Sequence, residues 1–169
     1  MPDEHVLGSG LVSYSSGLEW ERLGILASAV GTMQRQLEEC VAWARSRKQF
    51  GHPIGSYQAI AHRIVEMKRR ADTSRLLLYS AAHKKGQSGR ATLEAAMVKL
   101  HVSESLVANS MDAVRIFGAF GCMSEGGVER DLRDAIPAVI YSGSSDMQRN
   151  LIAELLGLPC RLDGLDPVR

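Results

Sequence analysis

Two short segments carry side chains that could bind an anion, and each adjoins one end of a predicted helix. Residues 45–51, Arg-Ser-Arg-Lys-Gln-Phe-Gly, follow a long amphipathic stretch. Guanidinium groups bind phosphate oxygens in pairs, so this segment is a candidate pyrophosphate site. The same cations would also compensate the negative end of a helix dipole, and composition alone favours that simpler interpretation.

The second segment, residues 140–149, is Ile-Tyr-Ser-Gly-Ser-Ser-Asp-Met-Gln-Arg. Ser144 or Ser145 can cap a helix that begins there, and free N–H groups at a helix start can also hold an anion. The glycines between 118 and 127 indicate a turn, or a loop whose backbone approaches a cofactor closely.

No metal-binding spacing appears among the histidines (residues 5, 52, 62, 83 and 101) or the cysteines (residues 40, 122 and 160). We therefore expect no metal site. The cysteines are odd in number and far apart, which argues against a disulfide framework and favours a reducing, cytoplasmic environment.

The composition is that of one globular domain. The chain has 169 residues, 45% of them hydrophobic and 23% charged, which excludes disorder for most of its length. With 20 Lys and Arg against 19 Asp and Glu, the net charge is +1, too small for general attraction to nucleic acid or membrane. We expect neither a spanning helix nor a signal peptide.

The spacing of apolar residues predicts helices separated by glycine and proline. The predicted helices cover residues 18 to about 50–53, about 60 to 86, 92 to 118, 128 to 136 and 145 to 156. On the second helix Lys85 is expected at the solvent side or the end, and on the third Met97 and Met111 are expected inward. Almost no segment alternates, so the fold class predicted is an all-α, antiparallel, up-and-down four-helix bundle.

Several motifs, taken in order, resemble the C-terminal domain of the acyl-CoA dehydrogenase family of flavoproteins. They are Val6-Leu7-Gly8, Leu18-Glu19-Trp20-Glu21-Arg22-Leu23, Arg47-Lys48-Gln49-Phe50-Gly51 followed by Gln58, and Arg133-Asp134-Ala135 with residues 140–149. Each match alone is weak, whereas the set is highly specific and covers about residues 5–158.

The resemblance implies a tetramer of three-domain subunits, each with a helical domain, a β-barrel and a bundle of this kind. Residues 1–17 would then link the bundle to a β-barrel domain, 18–158 would form the bundle and 159–169 a tail. The other two domains are expected from a longer chain or a partner chain, and the bundle alone is expected to form a dimer or tetramer and not to dehydrogenate anything.

The resemblance also implies a shared FAD, bound between domains and touched by the neighbouring subunit. The residues assigned to it are Arg47, Gln49, Phe50, Gln58, Arg115, Gly118, Gly121, Ser144 and Asp146. Arg47, Gln49 and Phe50 would contact the neighbour's pyrophosphate region, and Ser144 and Asp146 the adenosine end. Arg115 stands where the family usually has glutamine.

Ser142 stands where much of the family has the glutamate that removes the α-proton of the acyl thioester, and a hydroxyl is too weak a base for that step. Some members carry the base at the position of Glu21, which is our candidate, although an acidic residue early in a helix can serve the dipole alone. The Ser142 N–H would help to polarise the thioester carbonyl, and Arg22 would orient or neutralise the pocket. Glu19, Tyr141 and Gly143 are the implied substrate-binding residues.

Three functions follow as alternatives. The chain is the C-terminal domain of an acyl-thioester dehydrogenase, a non-catalytic assembly or carrier-docking subunit, or part of a flavin monooxygenase or oxidase on the same fold. The acyl group, and its carriage by coenzyme A or an acyl carrier protein, stay open.

Overall fold

The computed structural model describes residues 10–159, with side chains from residue 17 onward. Five α-helices account for most of this range: α1 (Gly10–Ser46), α2 (Gln58–Ser88), α3 (Thr92–Phe117), α4 (Val128–Ala135) and α5 (Ser145–Leu155). A two-stranded antiparallel hairpin, β1 (Lys48–Gln49) and β2 (His52–Pro53), joins α1 to α2. Short 3₁₀ turns lie at Ile54–Ser56, Gly118–Cys122, Ser124–Gly126 and Ile136–Val139.

The three long helices pack on one another, and α4 and α5 both pack on α3. The start of α1 meets the end of α2 and the start of α3, since Glu19 accepts hydrogen bonds from Lys85 and from the Ala91 N–H. Consecutive long helices are therefore antiparallel, and the predicted all-α bundle is confirmed. Aliphatic side chains and alanines fill its core, among them Leu26, Met33, Met67, Ala71, Val102 and Ala138.

Two predicted helix ends are wrong. Helix α1 ends at Ser46 rather than at residues 50–53, because Phe50 (φ 51°) and Gly51 (φ 83°) both take positive φ and close a tight hairpin. Helix α2 passes through Gly86 to Ser88, and Gly89 (φ 68°) caps it by donating its N–H to the Lys85 carbonyl. A glycine inside a helix is only mildly unfavourable, so Gly86 does not stop it.

The beginning of α1 also differs from expectation, since residues 10–17 are helical rather than irregular. Extending an existing helix is far easier than starting one, so the serines and glycines there do not prevent it. Residues 1–9 and 160–169, which include most of the predicted linker and tail, lie outside the described residues.

Side-chain placement on α2 and α3 departs from the predicted faces. Lys85 is buried, whereas Met97 and Met111 are exposed. The inward face of α3 is instead built from small and polar residues, including Ala95, Val102 and the fully buried Lys99. Small side chains let the neighbouring helices approach, and the polar ones bind groups on other elements. The predicted ends of α3 at Gly118 and of α5 near Leu156, and the Ser144 cap, are confirmed.

The bundle places predicted site residues at two opposite ends. The Glu21 end comprises the region around Glu21, Lys85 and Ser142, and the hairpin end comprises the β1–β2 hairpin and the turn Gly118–Cys122. Along α1, Glu21 and Arg47 are about 39 Å apart at about 1.5 Å per residue. Within residues 10–159, no helix combines the length and apolar character needed to cross a membrane.

Candidate functional site

A carboxylate and a hydroxyl from distant parts of the chain meet at the Glu21 end. The Ser142 hydroxyl donates a hydrogen bond to Glu21 Oε1 at 2.5 Å. Glu21 lies on the exposed side of α1, and Ser142 lies in the turn between α4 and α5. The contact is accessible from solvent, so a ligand can reach both groups.

The turn that carries Ser142 has a backbone conformation that few residues adopt. Ser142 has φ 54° and Gly143 has φ 93°. A Cβ at Gly143 would lie 2.5 Å from Gln148 Nε2, which is closer than real Cβ contacts come. Glycine is therefore favoured at 143 by its backbone conformation, and a larger residue would also displace the Gln148 amide.

Two buried side chains hold this turn by its carbonyl groups. Arg22 Nε donates to the Ser142 carbonyl at 3.1 Å, and Gln148 Nε2 donates to the Gly143 carbonyl at 3.0 Å. Arg22, predicted to orient the pocket, thus contacts the backbone of the residue that contacts Glu21. Gln148 is a residue that the sequence analysis did not assign to the site.

Lys99 was also missed, and it lies beneath the same turn. Its side chain is 0% exposed, and its ammonium donates to the Ala138 carbonyl at 2.6 Å. Burial, and secondly the charge of Arg22, lowers the pKa of Lys99 to about 8. The signal for Lys99 was its spacing, because it falls on the same helical face as the buried residues Ala95 and Val102.

Glu19, an implied substrate residue, lies inside the bundle. Its carboxylate accepts from Lys85 Nζ at 2.7 Å, from Thr92 Oγ1 at 2.5 Å and from the Ala91 N–H at 3.2 Å. Burial raises the pKa of Glu19, but these hydrogen bonds together hold it below its ordinary value. These contacts join the three long helices, so Glu19 has a structural role in the chain itself.

Three other predicted site residues lie near Ser142. One packs against the core, one caps α5 and one forms an ion pair. Tyr141 packs against the core, with its ring centroid 5.4 Å from Lys99 Nζ. Ser144 accepts a hydrogen bond from the Met147 N–H at 3.3 Å and caps α5. Asp146 is exposed in the first turn of α5 and forms an ion pair with Arg149 at 3.1 Å. Ser144 and Asp146 thus lie with Glu21 and not with the other predicted FAD residues.

The hairpin end carries an exposed ring and stacked aromatic side chains. Phe50, at the hairpin tip, is 91% exposed. The Arg47 guanidinium lies 6.0 Å from the Trp43 ring centroid, and Trp43 stacks on Phe117 at 4.9 Å and on Phe120 at 5.3 Å. This stack joins the last turns of α1, next to the hairpin, to the turn that begins at Gly118. Gln49 and Gln58 are both exposed beside it.

The glycine turn and Arg115 complete the hairpin end. Gly118 has φ 64° and ψ −138°, a region open essentially to glycine alone, and a Cβ at Gly121 would lie 2.7 Å from the Val114 carbonyl oxygen. Arg115 borders a cavity of about 380 Å³. Two carboxylates, those of Asp112 and Glu66, line the cavity with three guanidinium groups. Asp112 forms ion pairs with all three guanidinium groups, those of Arg63, Arg70 and Arg115.

This arrangement fits part of a dinucleotide. The excess of guanidinium groups would meet a pyrophosphate, and the exposed Phe50 ring offers an apolar surface. The structure brings together Arg47, Gln49, Phe50, Gln58, Gly118 and Gly121 at one end and Glu21, Arg22, Ser142 and Gly143 at the other. Among residues 10–159 no group of three His, Cys, Asp or Glu side chains is arranged to hold a metal ion.

The comparisons with known proteins agree with this geometry. Residues 8–157 match the family model described as acyl-CoA dehydrogenase, C-terminal domain. The chain is similar to an L-prolyl-[peptidyl-carrier protein] dehydrogenase of Pseudomonas fluorescens, at 46% identity over 89% of this chain and 40% of the relative. It is also similar to a short-chain-specific acyl-CoA dehydrogenase of Megasphaera elsdenii, at 33% identity over 88% of this chain and 39% of the relative.

Solved structures give the same result. The prolyl acyl carrier protein oxidase AnaB has 46% identity and a TM-score of 0.87, over 89% of this chain and 40% of that one. The FAD complex of PigA has 38% identity and a TM-score of 0.87, over 90% of this chain and 40% of that one. The chain therefore spans about 40% of the length of these relatives.

Proposed function

The chain belongs to the acyl-CoA dehydrogenase family, whose C-terminal domain it matches, and from this we propose that it forms the helical wall of an FAD-dependent α,β-dehydrogenase of acyl thioesters. Glu21 is the proposed base and removes the α-proton of the acyl group. The observation that carries this proposal is the 2.5 Å contact between Glu21 and Ser142. The two positions at which the family resemblance puts a base are adjacent in space, and here only one of them is a carboxylate.

The residues around Glu21 have different roles in the proposed removal of the α-proton. The Ser142 hydroxyl donates to the carboxylate and fixes its direction, and the carboxylate then accepts the proton from the α-carbon. The Ser142 N–H is available to the thioester carbonyl as negative charge develops on its oxygen. Arg22 and Gln148 keep the turn in place throughout. FAD, when bound, supplies the acceptor for the hydride released from the β-carbon.

The proposed cofactor residues at the hairpin end serve a neighbouring subunit. Arg47, the residue after α1, is about 39 Å from Glu21 at about 1.5 Å per residue, and Phe50 lies beyond it in the hairpin. The two ends therefore do not contact the same atoms. We infer that Arg47, Phe50 and Arg115 contact the pyrophosphate region of the neighbour's FAD. This arrangement requires a homo-oligomer, a dimer or tetramer.

The proposed substrate is an aminoacyl group on a carrier protein, with a prolyl group first among candidates. The support is similarity, since relatives named as L-prolyl-[peptidyl-carrier protein] dehydrogenases from two organisms are 46% and 38% identical to this chain. Coenzyme A thioesters are the alternative, supported by weaker similarity to acyl-CoA dehydrogenases.

The test is Glu21→Gln in the complete, FAD-loaded protein. Anaerobic reduction of the flavin by prolyl-carrier protein should slow by about 100- to 10,000-fold, the usual contribution of a general base, with flavin content unchanged. Glu38→Gln, another exposed carboxylate on α1, is the matched control and should keep the wild-type rate. Undiminished reduction by the Glu21 variant would contradict the assignment of the base.

An oxidase is the second candidate function, because a protein named as an oxidase is among the similar structures. In that case O₂ would be the final acceptor of the two electrons and two protons removed from the substrate, and H₂O₂ would be the product. Stoichiometric peroxide on reaction with air favours an oxidase, whereas a reduced flavin that persists until a protein electron acceptor is added favours a dehydrogenase. A subunit without catalysis would leave the flavin oxidised in both experiments.

A further inference from the structure

Lys99 is a buried lysine whose described contacts include no ion pair with a carboxylate. Its side chain is 0% exposed, and within the described residues its ammonium makes one hydrogen bond, to the Ala138 carbonyl at 2.6 Å. Burying a cation is unfavourable unless it makes strong compensating interactions. The hydrogen bond to the Ala138 carbonyl is one such interaction.

Ala138 lies where a helical segment stops. In the turn Ile136–Val139, the N–H groups of Ile140 and Tyr141 both donate to the Pro137 carbonyl, at 2.9 and 3.0 Å. If the segment continued as an α-helix, the next N–H, that of Ser142, would donate to the Ala138 carbonyl. Instead Ser142 takes φ 54° and the chain leaves the helical path.

Lys99 thus binds the carbonyl that the Ser142 N–H would bind in a continued helix. Within the part of the chain that the structure describes, the Ser142 N–H has no protein acceptor. We propose that Lys99 is a positioning residue that satisfies the Ala138 carbonyl in place of the Ser142 N–H and so keeps that N–H free to bind the substrate carbonyl. Arg22 and Gln148 hold the turn after the break, and Lys99 holds it before the break.

The charged and titratable groups around Lys99 come from each neighbouring element. Arg22 on α1 disfavours its charge, Glu104 on α3 favours it, and the Tyr141 ring faces it from the turn. Glu21 on α1 lies beyond, in contact with Ser142. Because burial and Arg22 bring the pKa of Lys99 down to about 8, the ammonium loses its proton within an accessible pH range. The neutral amine is a weaker donor, so the turn should respond to this titration.

The catalytic meaning of this inference rests on the proposed function, whereas the conformational claim does not. The experiment therefore uses the chain without flavin or substrate. Amide hydrogen exchange is measured by NMR for wild type and Lys99→Met below pH 8. In wild type the Ser142 amide should exchange as an unprotected amide. In Lys99→Met the amide should bind the vacated carbonyl, and its exchange should slow at least about tenfold after correction for intrinsic rates.

Two further variants separate positioning from general packing. Lys99→Arg keeps a cationic donor and should restore an unprotected Ser142 amide. Lys84→Met removes an exposed lysine at the same end and should change Ser142 exchange by less than about twofold. An unprotected Ser142 amide in a folded Lys99→Met variant would overturn the proposal.

A titration of the wild-type chain keeps the proposal testable if Lys99→Met does not fold. The Lys99 ¹³Cε shift and the Ser142 ¹⁵N shift should share one midpoint near pH 8. A Ser142 resonance that does not move while Lys99 titrates would overturn the proposal. Neither measurement depends on which residue is the catalytic base. A negative result for Lys99 therefore does not contradict the assignment of Glu21 as the base, and a negative result for Glu21 does not contradict the role of Lys99.

Discussion

The two ends of the bundle differ in whether their polar and aromatic site residues are buried or exposed. At the Glu21 end, buried polar side chains from four helices bind one another and the backbone of the Ser142 turn. At the hairpin end, the groups with binding chemistry point outward, and Phe50 is 91% exposed. Contacts within the chain thus order the first end, whereas the second end presents exposed side chains.

This contrast predicts where substitutions affect folding and where they affect binding. Changes at the Glu21 end remove partners from buried charges and carbonyls, which is costly. Changes at the hairpin end remove exposed groups, which costs the isolated chain little. The following variants test this difference, from the largest expected effect to the smallest.

Lys85→Met should give the largest loss of stability. It leaves the buried Glu19 carboxylate without its cation, and breaking a buried pair typically costs about 3–5 kcal/mol. The measurement is urea unfolding of the chain near pH 7. Arg69→Met, which breaks an exposed pair with Glu66, is the control and should cost less than about 1 kcal/mol.

The same pair predicts a dependence on pH. Because the pKa of Glu19 is lowered in the folded chain, its contribution is complete above the ordinary glutamate value of about 4.3 and is lost as the pH falls through the lowered value. Lys85→Met should reduce this acid-induced loss. An equal acid response in wild type and variant would show that Lys85 does not hold the Glu19 carboxylate.

The two ends also differ in how far the sequence predicted them. The spacing of apolar residues predicted the number and order of the helices. A helix that buries one face has apolar residues every three or four positions, so the sequence shows that period directly. It did not predict the buried lysines Lys85 and Lys99. Long cationic side chains are usually assigned to solvent, and their acceptors, Glu19 and the Ala138 carbonyl, are 66 and 39 residues away in the chain. Only the folded structure identifies such partners.

At the hairpin end the error was of another kind. The resemblance supplied the candidate cofactor residues of the hairpin. The predicted first helix, however, was continued through them, because a phenylalanine at positive φ is rarely expected. The resemblance assigns the hairpin residues to the pyrophosphate region of the neighbour's FAD, and Ser144 and Asp146 to the adenosine end. The structure places Ser144 and Asp146 at the Glu21 end.

Gly143→Ala should give an intermediate loss at the Glu21 end. Alanine at position 143 would have to adopt φ 93°, and its Cβ would displace the Gln148 amide that binds the Gly143 carbonyl. We therefore expect destabilisation of about 2–3 kcal/mol. Gly31→Ala is the matched control, because that helical glycine has nothing within 4 Å of its Cβ position. It should stabilise the chain by about 0.5–1 kcal/mol. Equal effects in urea unfolding would show that the turn is not tightly held.

Phe50→Asn should give the smallest effect on folding and the opposite sign. Asparagine tolerates positive φ better than phenylalanine and makes Asn-Gly, the favoured pair for this hairpin turn, so the chain should gain about 0.5–1 kcal/mol. Phe50→Ala removes the same ring but keeps the unfavourable conformation, and should be no more stable than wild type. In the complete protein, both variants should lose FAD affinity equally if the ring contacts the cofactor. A loss confined to one of them would instead assign the effect to the turn, and wild-type affinity in both would remove Phe50 from the cofactor site.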